Sequence, residues 1–332
     1  MDQTVFQGLQ SMSEIEKKQH QDHRFVNDMP NAALDLNRTE VTGVPSLNNN
    51  YFFKYHSVYI SKHNRFAPYP KHSHKFLELN YMLSGSCQQI VDGEKVALKE
   101  GDILMMNIGC SHSIAALGEN DLLINLLFRD QSITFNLLND IHSNNSLTYS
   151  FLSNISLGKK TERNYIIFPE NRDIKKTMDS IIEEYYLQKP FSNSIIESYL
   201  DILISKILRH HPMPTVKLKN EQQQLVFKCL KQIDQNYKTI TLAELAEDLG
   251  YNKEYLGNLI RKFTNSNFSD LKTKQRLIQA NNLLVTSTLP VNNIIEEVGI
   301  KNKNFFYKKY QEFYGLSPSE RRTDLFKRHS QL

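Results

Sequence analysis

The chain has 332 residues, 40% of them apolar and 23% charged, with 40 Lys and Arg against 36 Asp and Glu for a net charge of +4. That length holds two domains with separate cores. No apolar run reaches membrane-spanning length, and no basic-then-apolar signal segment opens the chain. Cys87, Cys110 and Cys229 show no CxxC spacing, which argues against a disulfide framework or zinc ribbon and for a reducing, cytoplasmic setting. Residues 1–48 are polar and lack sustained periodicity. They read as a loosely ordered N-terminal extension with room for short helical pieces.

From Tyr51 the pattern changes to short alternating strands, and Ser84-Gly85 and Asp92-Gly93 look like hairpin connections. A period of two places His72, His74, Glu78, Asn80 and Met82 on one strand face. If that face lines a barrel, two imidazoles and a carboxylate point inward together. The stretch His72-Ser-His74-Lys-Phe-Leu-Glu78 followed by Gly85 resembles the first cupin signature, and Gly101-Asp102, Gly109 and His112 resemble the second. Phe66 stands where that signature begins with Gly, Asn107 replaces its Pro, and its trailing Asn is missing. The resemblance implies a cupin-like ligand-sensing barrel over 49–170. His72, His74, Glu78, Asn80 and His112 are its candidate ligand-binding residues. His72, His74, Glu78 and His112 are also candidate ligands for a divalent first-row metal. The alternatives are an organic ligand, or polar groups satisfied within the barrel.

Asn164–Pro169 reads as the last strand of the barrel, and two helices follow within 171–211. One carries the stripe Ile174, Met178, Ile181, Tyr185; the other carries Ile196, Tyr199, Leu200, Leu203, Ile207, Leu208. These stripes fit either pairing of two subunits or packing on the chain's own barrel. Pro212 and Pro214 then forbid helix, which marks residues 212–222 as the interdomain linker.

The last third contains one pattern twice. Leu245, Ala246, Leu249 and Gly250 return as Ile294, Ile295, Val298 and Gly299 at an offset of 49. Leu256, Ile260 and Phe263 return as Phe306, Tyr310 and Phe313 at an offset of 50. In each copy a first helix ends at glycine and a second starts under an Asn cap, Asn252 or Asn302. The spacing turns outward Glu254, Gly257, Asn258 and Arg261 in one copy, and Asn304, Tyr307, Lys308 and Gln311 in the other. A helix over 268–284, with neither glycine nor proline inside, would hold the two copies at a fixed separation. From residue 213 onward there are 19 Lys and Arg against 12 Asp and Glu, a net of +7 against −3 for residues 1–212. A basic end on a slightly acidic body is the footprint of a DNA-binding domain.

With Arg276, Ala280, Leu283-Leu284, Gly315, Pro318 and Arg322 added, the repeated pattern resembles the AraC family of bacterial transcription regulators over about residues 225–325. Ile300 and Tyr310 stand where that family has Phe, and Asn265 where it has Gly. The resemblance implies an α+β multidomain chain: a cupin-like β-barrel with following helices that pair subunits, then an all-α DNA-binding domain over 223–328 with two helix-turn-helix motifs. It implies a sequence-specific, ligand-responsive activator without enzymatic activity. The expected partners are double-stranded DNA, RNA polymerase, a small-molecule effector such as a sugar, and a second copy of the chain. The candidate DNA-binding residues are Lys253, Glu254, Asn258, Arg261 and Lys262 in the first motif, and Lys301, Lys303, Asn304, Phe305 and Lys308 in the second. The rival readings are a metal-dependent cupin enzyme fused to a DNA-binding domain, and a dimeric DNA binder with no ligand.

Overall fold

The computed structural model describes residues 1–35, 39, 43–53, 58–128, 164–211, 221–264, 266–314 and 316–322. The chain forms two compact units, whose described parts are residues 1–211 and 221–322. Most of the expected linker, with Pro212 and Pro214, lies outside the described residues, as do Asn265 and Gly315. No helix among the described residues is long and apolar enough to cross a membrane.

The first unit is built on two five-stranded sheets. One runs β1 (Ser46–Leu47), β3 (Tyr69–His74), β8 (Ser111–Ile114), β5 (Ser86–Val91), β6 (Glu94–Lys99). The other runs β10 (Tyr165–Phe168), β7 (Ile103–Met106), β4 (Leu77–Ser84), β9 (Leu122–Phe128), β2 (Val58–Lys62). Strand β4 is buried on both faces. Leu77, Leu79, Tyr81 and Leu83 enter a core with α3 (Arg172–Leu187) and α4 (Ser192–His210), while Met82 joins the core that contains Cys87, Val91 and Leu98 of the opposing sheet.

Two expectations need correction here. First, His72, His74 and Glu78 do not share one strand: β3 ends at His74, β4 starts at Leu77, and the two belong to different sheets. Second, the described residues at the start of the chain form ordered, packed elements. Helix α1 (Gln3–Gln10) puts Val5 and Leu9 into the main core, and α2 (Glu14–Asp22) starts at a full Ser13–Glu16 capping box. Polar composition hid this, because α2 is anchored by buried Glu16 and Gln19 rather than by an apolar stripe. Of the two uses open to the α3 and α4 stripes, packing on the chain's own barrel is the one seen within the subunit. Ile174, Met178, Ile181, Ile196, Leu200, Leu203 and Ile207 all lie in the core shared with the barrel sheet.

Phe66, standing where the signature has Gly, keeps a left-handed backbone with φ at +73°. That left-handed conformation costs a non-glycine residue roughly 1–2 kcal/mol. The edge of His20 on its ring at 4.7 Å and the Arg65 guanidinium above it at 5.3 Å hold it in place.

The second unit is all helical: α5 (Glu221–Gln235), α6 (Leu242–Leu249), α7 (Lys253–Thr264), α8 (Phe268–Thr286), α9 (Val291–Glu297) and α10 (Lys303–Tyr314). Helix α5 had no expectation of its own; it buries Leu225, Val226, Cys229, Leu230 and Ile233. The repeat is a repeat of burial. Leu245 and Ile294, Leu256 and Phe306, and Ile260 and Tyr310 are each fully buried. Thr241 and Glu244 cap α6 reciprocally, and Asn252 and Asn302 accept from the backbone N–H groups of Tyr255 and Phe305. Tyr310 replaces Phe at no polar cost, since its hydroxyl donates to the Asn281 side chain at 2.8 Å. The three cysteines are buried, unpaired thiols.

The two turn glycines face different surroundings. Gly250 (φ +71°) would have open space around an added Cβ, whereas at Gly299 (φ +77°) that atom would lie 2.8 Å from the Lys238 carbonyl oxygen. Gly250→Ala should therefore cost only the left-handed penalty, about 1–2 kcal/mol. Gly299→Ala should add overpacking and cost on the order of 3 kcal/mol. Urea titrations of the two variants followed by far-UV circular dichroism check this, and equal losses would contradict it.

Candidate nucleic-acid interface and barrel cavity

Recognition-type helices α7 and α10 present matching outer faces. Glu254, Asn258 and Arg261 are exposed on α7; Asn304, Lys308 and Gln311 are exposed on α10. Lys253, Lys262, Lys301 and Lys303 are exposed beside them. Two residues expected to face outward do not. Gly257 is half-buried, and a Cβ there would stand 3.1 Å from the Leu242 side chain, so glycine lets α6 and α7 approach. Its counterpart Tyr307 is half-buried and packs on the second motif's core. Phe305 is 42% exposed near the start of α10. Its counterpart Tyr255 is 41% exposed and stacks on Tyr251.

Helix α8 braces the first motif as well as linking the two. Arg276 donates from Nε to the Tyr237 carbonyl at 2.9 Å and from its guanidinium to that of Lys238, while Lys272 reaches the carbonyls of Thr239 and Ile240. Four carbonyls between α5 and α6 are thus held by two cations from one helix. The orientation of α6 and α7 is tied to that helix rather than to a loop.

In the first unit a cavity of about 240 Å³ opens beside β3, β4 and β8. Its polar wall includes His63, His72, Glu78, His112 and Asn125, and its aromatic wall includes Phe52, Tyr59 and Phe76. Of the five barrel residues expected to bind ligand, His72, Glu78 and His112 reach this cavity; His74 and Asn80 stand behind Glu78 instead. His72 and His112 are register partners across β3 and β8, with Nε2 atoms 3.0 Å apart. Glu78 Oε2 lies 3.1 Å from His74 Nε2 and 3.6 Å from His112 Nε2. Asn80 donates to Glu78 Oε1 and accepts from Gln89, whose Oε1 faces His112 Nδ1 at 3.0 Å. Burial works against charge throughout. It pushes His63 down to about 3, holds His72 and His112 below the ordinary imidazole range, and raises Glu78 despite His72 and Asn80 nearby.

Sequence reasoning missed His63, Asn125, Gln89 and the N-terminal contribution. Asp28 lines the cavity and accepts from Tyr69 Oη at 3.0 Å and Asn64 Nδ2 at 2.8 Å. The signal for His63 was its place one residue past β2, outside any signature. Asp28 is brought there by α2, whose Glu16 takes Arg65 Nε at 2.7 Å and Lys62 Nζ at 2.6 Å in a fully buried carboxylate.

Burial alone would raise the Glu16 carboxyl, but hydrogen bonds from Arg65, Lys62 and the Ser13 N–H outweigh it and hold it below the usual range. Its contribution is therefore complete above the unfolded-state value near 4.5. It is lost as pH falls through the lower folded-state value. Glu16→Gln should cost about 3–5 kcal/mol by leaving Arg65 buried without its counterion. Hydrogen exchange of residues 1–22 should show α2 released first on acidification in the parent, and already open at neutral pH in the variant. Protection of α2 in Glu16→Gln equal to the parent would contradict this.

Two family descriptions match the chain: an AraC-like ligand-binding domain over residues 54–204 and a helix-turn-helix domain over residues 245–324. The raffinose operon transcriptional regulatory protein RafR of Pediococcus pentosaceus is 28% identical over 144 residues, which is 42% of this chain and 52% of RafR. The transcriptional activator RhaS of Mannheimia succiniciproducens is 26% identical over 265 residues, 76% of this chain and 89% of RhaS. The chain thus matches about half the length of RafR. ToxT of Vibrio cholerae, a solved structure, covers 81% of this chain and 97% of its own length at 12% identity and a TM-score of 0.36.

Proposed function

As the chain belongs to the AraC family of transcription regulators, we propose that it reads specific duplex sequences and activates nearby transcription when a small effector fills its barrel. The observation that carries this reading is the doubled motif. Two buried-face, polar-face helices repeat the same outward positions and are joined by one unbroken helix. Lys253, Arg261, Lys262, Lys301 and Lys303 supply phosphate contacts and salt dependence. Asn258, Asn304 and Lys308 supply hydrogen bonds to base edges, with Glu254 beside them. Such a protein works in the cytoplasm and meets RNA polymerase at the promoter.

The effector is a small neutral molecule rich in hydroxyls. An aromatic wall facing a wall of amide, imidazole and carboxyl groups suits a ring with apolar faces and polar edges. The naming of RafR for a raffinose operon agrees with a carbohydrate. Pairing of two copies would use the side of α4 outside its core, where Ile195 and Ile202 are 37% and 43% exposed and Phe191 before them is 70% exposed.

Selection of random duplexes on the full chain should enrich one motif, and uniform affinity for all duplexes would sink the regulator reading. On the selected site Asn304→Ala should lose about 1–3 kcal/mol at particular bases only. Phe305 should contact a thymine methyl, so replacing that thymine by deoxyuridine should weaken the parent and leave Phe305→Ala indifferent. Equal deoxyuridine sensitivity in both would remove Phe305 from the reading surface.

A thermal-shift panel of neutral saccharides should contain one that stabilises the first unit. Binding only the folded state at a hundredfold excess over Kd is worth roughly 2.7 kcal/mol. A panel spanning mono- to trisaccharides without any shift would count against a carbohydrate effector.

A further inference from the structure

The two helix-turn-helix motifs differ at the residue that follows the turn glycine. Tyr251 and Ile300 close their turns alike, each N–H donating to the carbonyl oxygen five residues back, on Ala246 and Ile295. A residue in that place ordinarily lays an apolar side chain on the helix it terminates. Ile300 does so: it is 4% exposed and belongs to the core of the second motif. Tyr251 does not. It is 46% exposed and stacks on Tyr255, itself 41% exposed, with ring centroids 5.7 Å apart and planes 19° from parallel. Burial open to this backbone position is given up, and an exposed two-ring platform stands at the start of α7 instead.

The chemistry around the platform says what covers it. Asn252 accepts from the N–H groups of Glu254 and Tyr255, which fixes the pair at the first turn of α7. In a recognition helix that turn lies nearest the duplex. Tyr255 shares a side of α7 with Asn258 and Lys262, three and seven residues on. Lys253, Arg261 and Lys262 are exposed, and none makes an ion pair among the described residues. Glu254, the nearest acid in sequence, lies about 100° round the helix on the base-facing stripe. Gln222, at the start of α5, donates to Tyr255 Oη at 3.4 Å. That bond draws the ring toward α5 and occupies an oxygen lone pair, so the phenolic proton stays free to donate. Tyr251 Oη has no partner among the described residues.

We propose that Tyr251 and Tyr255 form a clamp on the DNA backbone. Each hydroxyl donates to a phosphate oxygen beside the half-site read by α7, and the stacked rings pack on deoxyribose. Two free phenolic donors among unpaired cations match the oxygens of a polyanion, and two apolar ring faces match the sugar between them. This inference rests on α7 being a DNA-reading helix and adds a surface outside its base-facing stripe. Phe305, the counterpart of Tyr255, has no hydroxyl and no stacked neighbour among the described residues. The clamp therefore belongs to the first motif alone, and the two half-sites are gripped by different chemistry.

The test uses the full chain with its selected duplex and a scrambled duplex beside it. Tyr251→Phe and Tyr255→Phe each remove one exposed hydroxyl. Each should weaken both duplexes by the same factor, roughly tenfold for a hydrogen bond to a charged group. Methylphosphonate replacement of single phosphates around the first half-site should find positions where the parent loses affinity and the double variant loses no more. At phosphates held by Lys253 or Lys262, parent and double variant should weaken alike. Parent affinity in the double variant, or losses that add at every phosphate, would overturn the proposal. A loss confined to particular base pairs would overturn it too, by making the pair base readers. So would a double variant that binds DNA normally yet fails to support transcription by purified RNA polymerase, since the platform would then belong to that protein. Nitration of the parent needs no variant to fold: tetranitromethane should modify both tyrosines in the free protein and spare them in the complex. Equal modification in the two states would reject the clamp. Its failure leaves sequence selection by the parent intact, whereas absence of any enriched sequence would end the regulator reading and leave phosphate coupling measurable on the scrambled duplex.

Discussion

Burial of β4 on both faces is the constraint from which the first unit follows. Its odd residues, Leu77 to Leu83, must find apolar cover, and α3 and α4 supply it. Its even residues, Glu78 and Asn80, are then committed to an interior with almost no water contact. A carboxyl and an amide in that position need partners of matching polarity. Asn125 on β9, Gln89 on β5 and His72, His74 and His112 on the opposing sheet are those partners. The polar floor of the cavity is therefore a consequence of strand packing as much as of ligand chemistry.

The second unit solves a different problem, that of holding two short helices at a set angle without a large core. Its answer is to make α8 serve twice. Leu277, Ala280 and Leu284 build the core of the second motif. Arg276 and Lys272, on the same helix, reach back to the turn before α6. Gly299 completes the arrangement by letting the second turn pass close to the Lys238 backbone. Both motifs converge on residues 237–240 and on one rigid rod.

Much of this was legible in the amino-acid order. Periodicity 3.6 with Asn caps and glycine turns located α6, α7, α9 and α10, because their burial is one-sided and the caps are local. Period two found the strands but misjudged His72 through Glu78 as one strand, because a two-residue turn between His74 and Leu77 leaves the alternation unbroken. Residues 1–48 misled for a related reason. Glu16 and Gln19 read as solvent-facing until Arg65 and its carbonyl, almost fifty residues away, are seen to meet them. The stripes on α3 and α4 were real but ambiguous, since an apolar face does not say whose surface covers it. His63 and Gln89 carry no motif at all, and only tertiary placement brings them beside His112.

The three buried thiols give the molecule an internal gauge. Burial pushes Cys87 and Cys229 up to about 12 and also raises Cys110, so almost no thiolate exists in the native state. Thiolate is the form that alkylating reagents and oxidants attack. Two of these sulfurs sit in the sheet unit and one in the helical unit. Modification at each would therefore follow transient opening of its own unit, letting the same polypeptide report two separate unfolding equilibria without any added label.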